Sequence, residues 1–250
     1  MPAQTHRYRY AHALMYPMGG SKPLSAEEAA QKLNVTAEDI SLAALRTWAY
    51  TLKPRSDMEN AAQTLGRLRA IAGVDADAVT IDLRAANLQG IDFEGGNFNR
   101  ARLEGAQFQG AKLWQAQMQG ADLCHAQMQG AQLLDAQMQR VNLRYAQMQG
   151  ADLSHSQLQG AEISFAKFDA EFSGYNSDFT GAAIWHTDLS PLRMSSEQLN
   201  TAFGDGSVTL PDHIDWPAHW PRETLGVMDF NKQWRAFLAS LPPGWDAPKR

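Results

Sequence analysis

One cysteine, Cys124, stands alone among 250 residues. That excludes an internal disulfide framework and any Cys/His metal spacing, and it makes a reducing, cytoplasmic interior the natural expectation. No apolar run approaches the length of a membrane span, so no membrane association is expected. The amino-terminal MPAQTHRYRYAHALMYPMGG is poor material for a signal peptide, because its apolar run is short and broken by His12 and Pro17; a secreted effector is still compatible with it. Strong charge of one sign is also missing. Lys and Arg number 9 against 8 Asp and Glu in residues 1–81, 7 against 12 in 82–190 and 6 against 7 in 191–250. The middle carries the acidity, which disfavours nucleic-acid binding there, since that affinity comes from clustered cations. Without a phosphate-binding loop, a metal cluster or a catalytic constellation, the sequence predicts no enzyme, no cofactor and no metal.

What the chain has instead is a period of five. From Leu83 an apolar residue recurs at every fifth position through Leu88, Phe93, Phe98 and Leu103 to Ile163 and Phe168, and a small residue, usually Ala, stands two places before most of them. After Phe168 the register slips by one, because the next centres are Phe179, Ile184 and Leu189, which places a bulge or short loop at 169–178. Neither an amphipathic helix nor an alternating strand has this period. Short extended stretches joined by turns do: four units close a square coil, with centre and small residue inward, and coils stack at about 4.8 Å. About five such coils are expected.

Units such as ANLQG, ADLCH, VNLRY and ADLSH resemble the pentapeptide-repeat family, whose consensus is A(D/N)LXX; the AQMQG units depart from it through Gln and Met. The resemblance covers residues 81–190. It implies a mainly β fold, a right-handed quadrilateral β-helix, and a role as a rigid surface for binding other macromolecules.

Residues twenty apart then stack, and the surface is readable as columns. Gln109, Gln129 and Gln149, then Gln119, Gln139 and Gln159, then Gln117, Gln137 and Gln157, are expected outward, with amides bonding up each column. Met118, Met128, Met138 and Met148 fall at centres and read as core filling. Trp114 and Leu134 break the glutamine pattern on one face and His125 and Tyr145 on the opposite face, so these four are the partner-binding candidates. Asp135 and His155 also stack, but no nucleophile accompanies them. Cys124 shares a column with Arg144, which would favour its thiolate.

The flanks read as helical. Residues 1–80 form an N-terminal capping module, with Ser25, Thr36 and Asp57 at helix starts. Within it, residues 25–52 look like a helix-turn-helix, although the second helix, AEDISLAALRTW, opens on two acids and offers only Arg46 to a base. Residues 191–250 hold a connector and a last helix, started by Asp229, whose Phe230, Trp234, Phe237, Leu238 and Leu241 follow helical spacing up to Pro242. That helix caps the solenoid or makes a homodimer contact. The functional expectation is an interaction scaffold with a protein partner. Two alternatives are a DNA-mimicking binder of gyrase, which asks for an acidic strip, and a DNA-binding regulator acting through 25–52.

Overall fold

A computed structural model describes residues 81–245. The N-terminal module and the helix-turn-helix-like stretch fall outside the described residues.

From Ile81 onward each five-residue unit contributes one ladder residue and one turn. The ladder is parallel and joins residues twenty apart: Asp82 pairs with Arg102, Arg102 with Asp122, Asp122 with Asn142 and Asn142 with Glu162. Leu83 N donates to Arg102 O at 2.9 Å while Arg102 N donates to Ile81 O at 2.9 Å. The turn follows at once. Ala116 N donates to Leu113 O at 3.1 Å, and the second central residue, Gln115, has φ +55, the signature of a type II turn. The same position is left-handed throughout, at Gly110, Gly120 and Gly130 but also at Arg100, His125, Asp135, Arg140, Tyr145 and His155.

Left-handed backbone costs an ordinary residue about 1–2 kcal/mol and glycine almost nothing. Gln115→Gly is therefore expected to raise unfolding stability by about 0.5–1 kcal/mol, allowing for glycine's extra unfolded-state entropy, and Gly130→Val to lower it by about 1–2 kcal/mol. Denaturant titration of the two variants checks both signs.

Centres and small residues fill the interior. Leu113, Met118, Leu123, Met128, Leu133 and Met138 are fully buried, with Ala111, Ala116, Ala121, Ala126, Ala131 and Ala136 between them. Sizes compensate within a unit: a Cβ on Gly96 would lie 2.6 Å from the Phe98 ring, which occupies the space of the missing methyl. Where the small position is hydroxylated, the hydroxyl donates to a centre carbonyl. Ser156 Oγ meets Leu133 O at 2.5 Å, Ser177 Oγ meets Leu153 O at 2.6 Å and Thr187 Oγ1 meets Ile163 O at 2.9 Å.

The break expected at 169–178 is narrower. Lys167 still pairs at an offset of twenty with Gln147, whereas Ser173 pairs with Asp152 at twenty-one, so one residue is inserted between them. The ladder resumes with the unit 172–176, whose sizes are inverted: Phe172 takes the small position and Gly174 the centre, and a Cβ on Gly174 would lie 3.1 Å from the Phe172 ring. That inversion hid the unit from the apolar spacing. At the insertion the carboxylate of Asp169 accepts from Gly150 N at 2.7 Å and from Glu171 N at 3.2 Å.

Pairing also continues past residue 190. Strand β1 (Ala183–Ile184) pairs in parallel with β2 (Phe203–Gly204), and Asp188 pairs with Thr209. Between them α1 (Ser196–Asn200) begins at a capping box made by Ser195 and Gln198. Gln198 Nε2 donates to Gly174 O and Ser177 O, at 2.8 and 3.0 Å, so a side chain takes up carbonyls of the coil below. The connector closes the end: Trp220 lies over Gly204, its Nε1 donating to Ala202 O at 2.9 Å, and the buried Asp205 carboxylate accepts from Leu225 N at 2.6 Å.

The last helix, α2 (Val227–Ser240), starts after Gly226, so Asp229 stands in its first turn and not at its cap. Phe230 is buried against Trp185 and Phe203, Phe237 stacks on His219, and Trp234 Nε1 donates to Gly181 O at 2.8 Å. Leu238 packs over Gly181, and Leu241 is half-buried. Phe230 is thus buried on the solenoid's own side wall, and Trp234, Phe237, Leu238 and Leu241 are half-buried.

Candidate functional site

The glutamines do not simply decorate the surface. Gln109, Gln129, Gln139 and Gln159 are buried, and their amides bond diagonally between columns. Gln119 Nε2 donates to Gln137 Oε1 at 2.6 Å, Gln129 to Gln147 at 2.9 Å and Gln139 to Gln157 at 2.7 Å, in each case eighteen residues on. A turn glutamine is long enough to span the coil spacing of about 4.8 Å and meets the ladder residue of the next coil instead of its own stacked neighbour. Two amide-lined walls result, and the distinctive side chains are left at the corners.

One corner carries a stacked aromatic column. His125 lies on Tyr145 at 4.7 Å and 9°, Tyr145 on Phe165 at 4.7 Å and 5°, and Phe165 on His186 at 4.9 Å and 10°. All four have left-handed backbone, which turns the rings outward into one register. The predicted His125–Tyr145 pair is thus half of the column. Phe165 was legible as the next residue at an offset of twenty; His186 was not, because the inserted residue moves it to twenty-one. Trp185 adds an edge contact to Phe165 at 5.4 Å and links the column to Phe230 of α2.

The opposite corner carries Trp114 and Leu134 on consecutive coils, where Gly95 N donates to Trp114 O and Gln115 N to Leu134 O. Trp114 is 37% exposed and Leu134 half-buried. The same column continues through Ser154 to Tyr175, the latter 71% exposed and edge-on to His155 at 5.6 Å. Tyr175 was missed for the same reason as His186.

Charge is mixed along the first of these corners. Asp82 pairs with Arg84 at 2.7 Å and Arg102 at 3.6 Å, and Arg144 approaches Glu162 at 4.0 Å. The side-chain hydrogen bond from Arg84 lowers the Asp82 carboxyl from 3.8 to about 2. The expectation of a favoured thiolate at Cys124 fails. Burial and the Asp122 carboxylate push the thiol up, and Arg144 offsets only part of that. Asp135 and His155 share a corner, but the His155 Nδ1 contact is Asn176 Nδ2, at 3.1 Å. Among the described residues no group of three or more metal-ligating side chains converges, and no helix is long and apolar enough to cross a membrane.

The sequence profile described as Pentapeptide repeats matches residues 81–115, 101–138 and 136–170, in eight copies. Among solved structures the chain is similar to a pentapeptide repeat protein, Rfr23, from the cyanobacterium Cyanothece 51142, with 28% identity, TM-score 0.37, and coverage of 37% of this chain and 63% of that one. It is similar to HetL, a pentapeptide repeat protein involved in heterocyst differentiation regulation from Nostoc sp. strain PCC 7120, with 27% identity, TM-score 0.25, and coverage of 53% and 67%. It also resembles QnrB1, a plasmid-mediated fluoroquinolone resistance protein, at 15% identity, TM-score 0.27, and coverage of 64% and 85%. The chain thus spans less than two thirds of the first of these structures. No curated protein matches it. With the ladder at twenty-residue offsets, the left-handed turn residues and the family match in place, residues 81–170 are pentapeptide repeats, wound as a parallel β-helix.

Proposed function

We infer that this protein is a non-enzymatic interaction scaffold that presents side chains at fixed spacing to a protein partner. The observation behind this reading is that large apolar side chains remain exposed at the corners of a wall whose backbone and amides bond to one another: Trp114 and Tyr175 on one corner, Tyr145 on the other. A rigid corner loses little entropy on binding, so exposed aromatics there are worth more than on a loop. A crevice beside α2, lined by Arg144, Glu162, Trp185 and Trp234, has a volume of about 20 Å³, room for about one water and not for a substrate. The single thiol fits a reducing compartment. The mixed ladder column Asp82, Arg102, Asp122, Asn142, Glu162, with Arg84 and Arg144 beside its acids, weighs against an acidic DNA-like strip.

Affinity capture from the source cells tests the reading. Wild type is expected to retain a partner that Trp114→Glu/Leu134→Glu, folded by circular dichroism, releases by more than about tenfold, since hot-spot losses reach 2 kcal/mol or more. Retention of no partner by wild type defeats the scaffold reading, and recovery of gyrase overturns the charge argument.

A further inference from the structure

The two corners differ in what surrounds their aromatics. On the His125 corner the acids stand among cations and amides: Asp82 pairs with Arg84 and Arg102, Glu162 approaches Arg144, Glu104 lies in the field of Arg84, and Asp122 accepts from Asn142 Nδ2 at 2.9 Å. On the Trp114 corner two exposed carboxylates have no side-chain partner among the described residues. Glu94 stands one coil before Trp114 in the same column, and Asp135 follows Leu134 directly. Glu94 ends, and Asp135 flanks, the column of Trp114, Leu134, Ser154 and Tyr175.

That combination selects among partners. A purely apolar partner would strip water from Glu94 and Asp135 and return nothing, and an acidic protein or a nucleic acid would be repelled by them. A guanidinium or ammonium group satisfies both demands, because it pairs with a carboxylate while lying on an indole or phenol face, and its aliphatic stem covers a leucine. The spacing fits as well: Glu94, Trp114 and Leu134 follow one another at about 4.8 Å per coil, within the span of an arginine side chain and its neighbours on an extended chain.

We propose that the corner formed by Glu94, Trp114, Leu134, Asp135 and Tyr175 docks an arginine- or lysine-bearing segment of the partner protein. The inference rests on the scaffold reading and specifies its partner class.

The probe is a fluorescein-labelled octapeptide of alternating arginine and serine, titrated into the full chain by anisotropy. Wild type binds, and Glu94→Gln/Asp135→Asn and Trp114→Ala each weaken binding by about tenfold, the loss expected of a desolvated ion pair with its cation–π contact. Glu104→Gln/Asp122→Asn, which makes the same change in net charge on the opposite corner, shifts affinity by less than about twofold, as an exposed charge at a distance should. The same peptide with citrulline for arginine does not bind. Amide shift changes in the unmutated chain cluster at 94, 114, 134, 135 and 175, which keeps the test independent of variant folding. No binding, equal weakening by both double variants, or shift changes at the His125 corner overturns the proposal. Failure of the two readings is distinguishable: a captured partner released by Trp114→Glu/Leu134→Glu but held by Glu94→Gln/Asp135→Asn preserves the scaffold and removes the basic segment.

Discussion

Leu133→Ala is expected to cost about 3–5 kcal/mol of unfolding free energy, the upper range for a buried leucine. Leu133 is fully buried between Leu113 and Leu153, its neighbours at one coil below and one above. Its backbone is held on both sides, with Leu133 N donating to Asp152 O at 2.7 Å and Leu113 N to Gln132 O at 2.7 Å. A site pinned in this way collapses little when the side chain is shortened, so the cavity term is kept in full. The loss falls on both adjacent coil interfaces, since in a solenoid each repeat is stabilised mainly by its neighbours. Guanidinium unfolding should show a lower midpoint at an unchanged slope. Met138→Leu, which nearly conserves volume at an equally buried centre, should cost less than about 1.5 kcal/mol. If Leu133→Ala cost under about 1 kcal/mol, the interior would have to be loose or able to close up, contrary to the close packing that ordinary protein interiors show.

Gly181→Val should release α2 from the wall and leave the coils before it intact. Gly181 has φ +72, and a Cβ there would lie 2.5 Å from the Trp245 ring and 2.9 Å from Leu238 Cδ2. Left-handed strain and overpacking together come to about 2–5 kcal/mol, and both act at the position whose carbonyl accepts from Trp234 Nε1. The helix has few other anchors, chiefly Phe230 and Phe237. Hydrogen exchange should show the amides of Val227–Ser240 losing protection by two orders of magnitude or more, about 1.4 kcal/mol per decade. Amides from Ala101 to Leu158 should keep theirs. Unchanged protection in α2 would mean that Phe230 and Phe237 hold the helix without the Trp245 and Leu238 contacts. Released α2 would also free the apolar face that a homodimer contact would use.

The repeats could be read from the chain because a solenoid places neighbours at a constant sequence offset. Leu133 and Leu153, His125 and Tyr145, and Trp114 and Leu134 all follow from counting twenty, and the structure sets each pair on consecutive coils of one column. What failed is what breaks the offset or the size rule. One residue inserted after Lys167 moved His186 and Tyr175 off the count of twenty, and the exchange of Phe172 with Gly174 made a complete unit look like a loop. The glutamines were placed in the right columns but given the wrong direction, because side-chain length, which column counting ignores, decides which amide the Nε2 can reach.

The sequence by itself determined the winding: an apolar centre every five residues, with a small residue two before it, admits no helix or plain strand and closes only as stacked square coils. It also determined how charge is spread, since acids and bases are mixed along the repeats, with 7 bases against 12 acids in residues 82–190. Only the tertiary structure decided which exposed side chains are free and which are spent. The Phe230 face of α2 reads the same from its spacing whatever surface it meets; its place on the wall comes from Gly160 and Gly181, which leave room for Trp245, and from the Gly181 carbonyl within reach of Trp234. Likewise Glu94 and Asp122 are alike as carboxylates in a repeat, and only side-chain reach decides that Asp122 accepts from Asn142 Nδ2 while Glu94 stays exposed. Long-range contacts of this kind depend on side-chain reach and on which wall the connector lays its helix against, and neither is periodic.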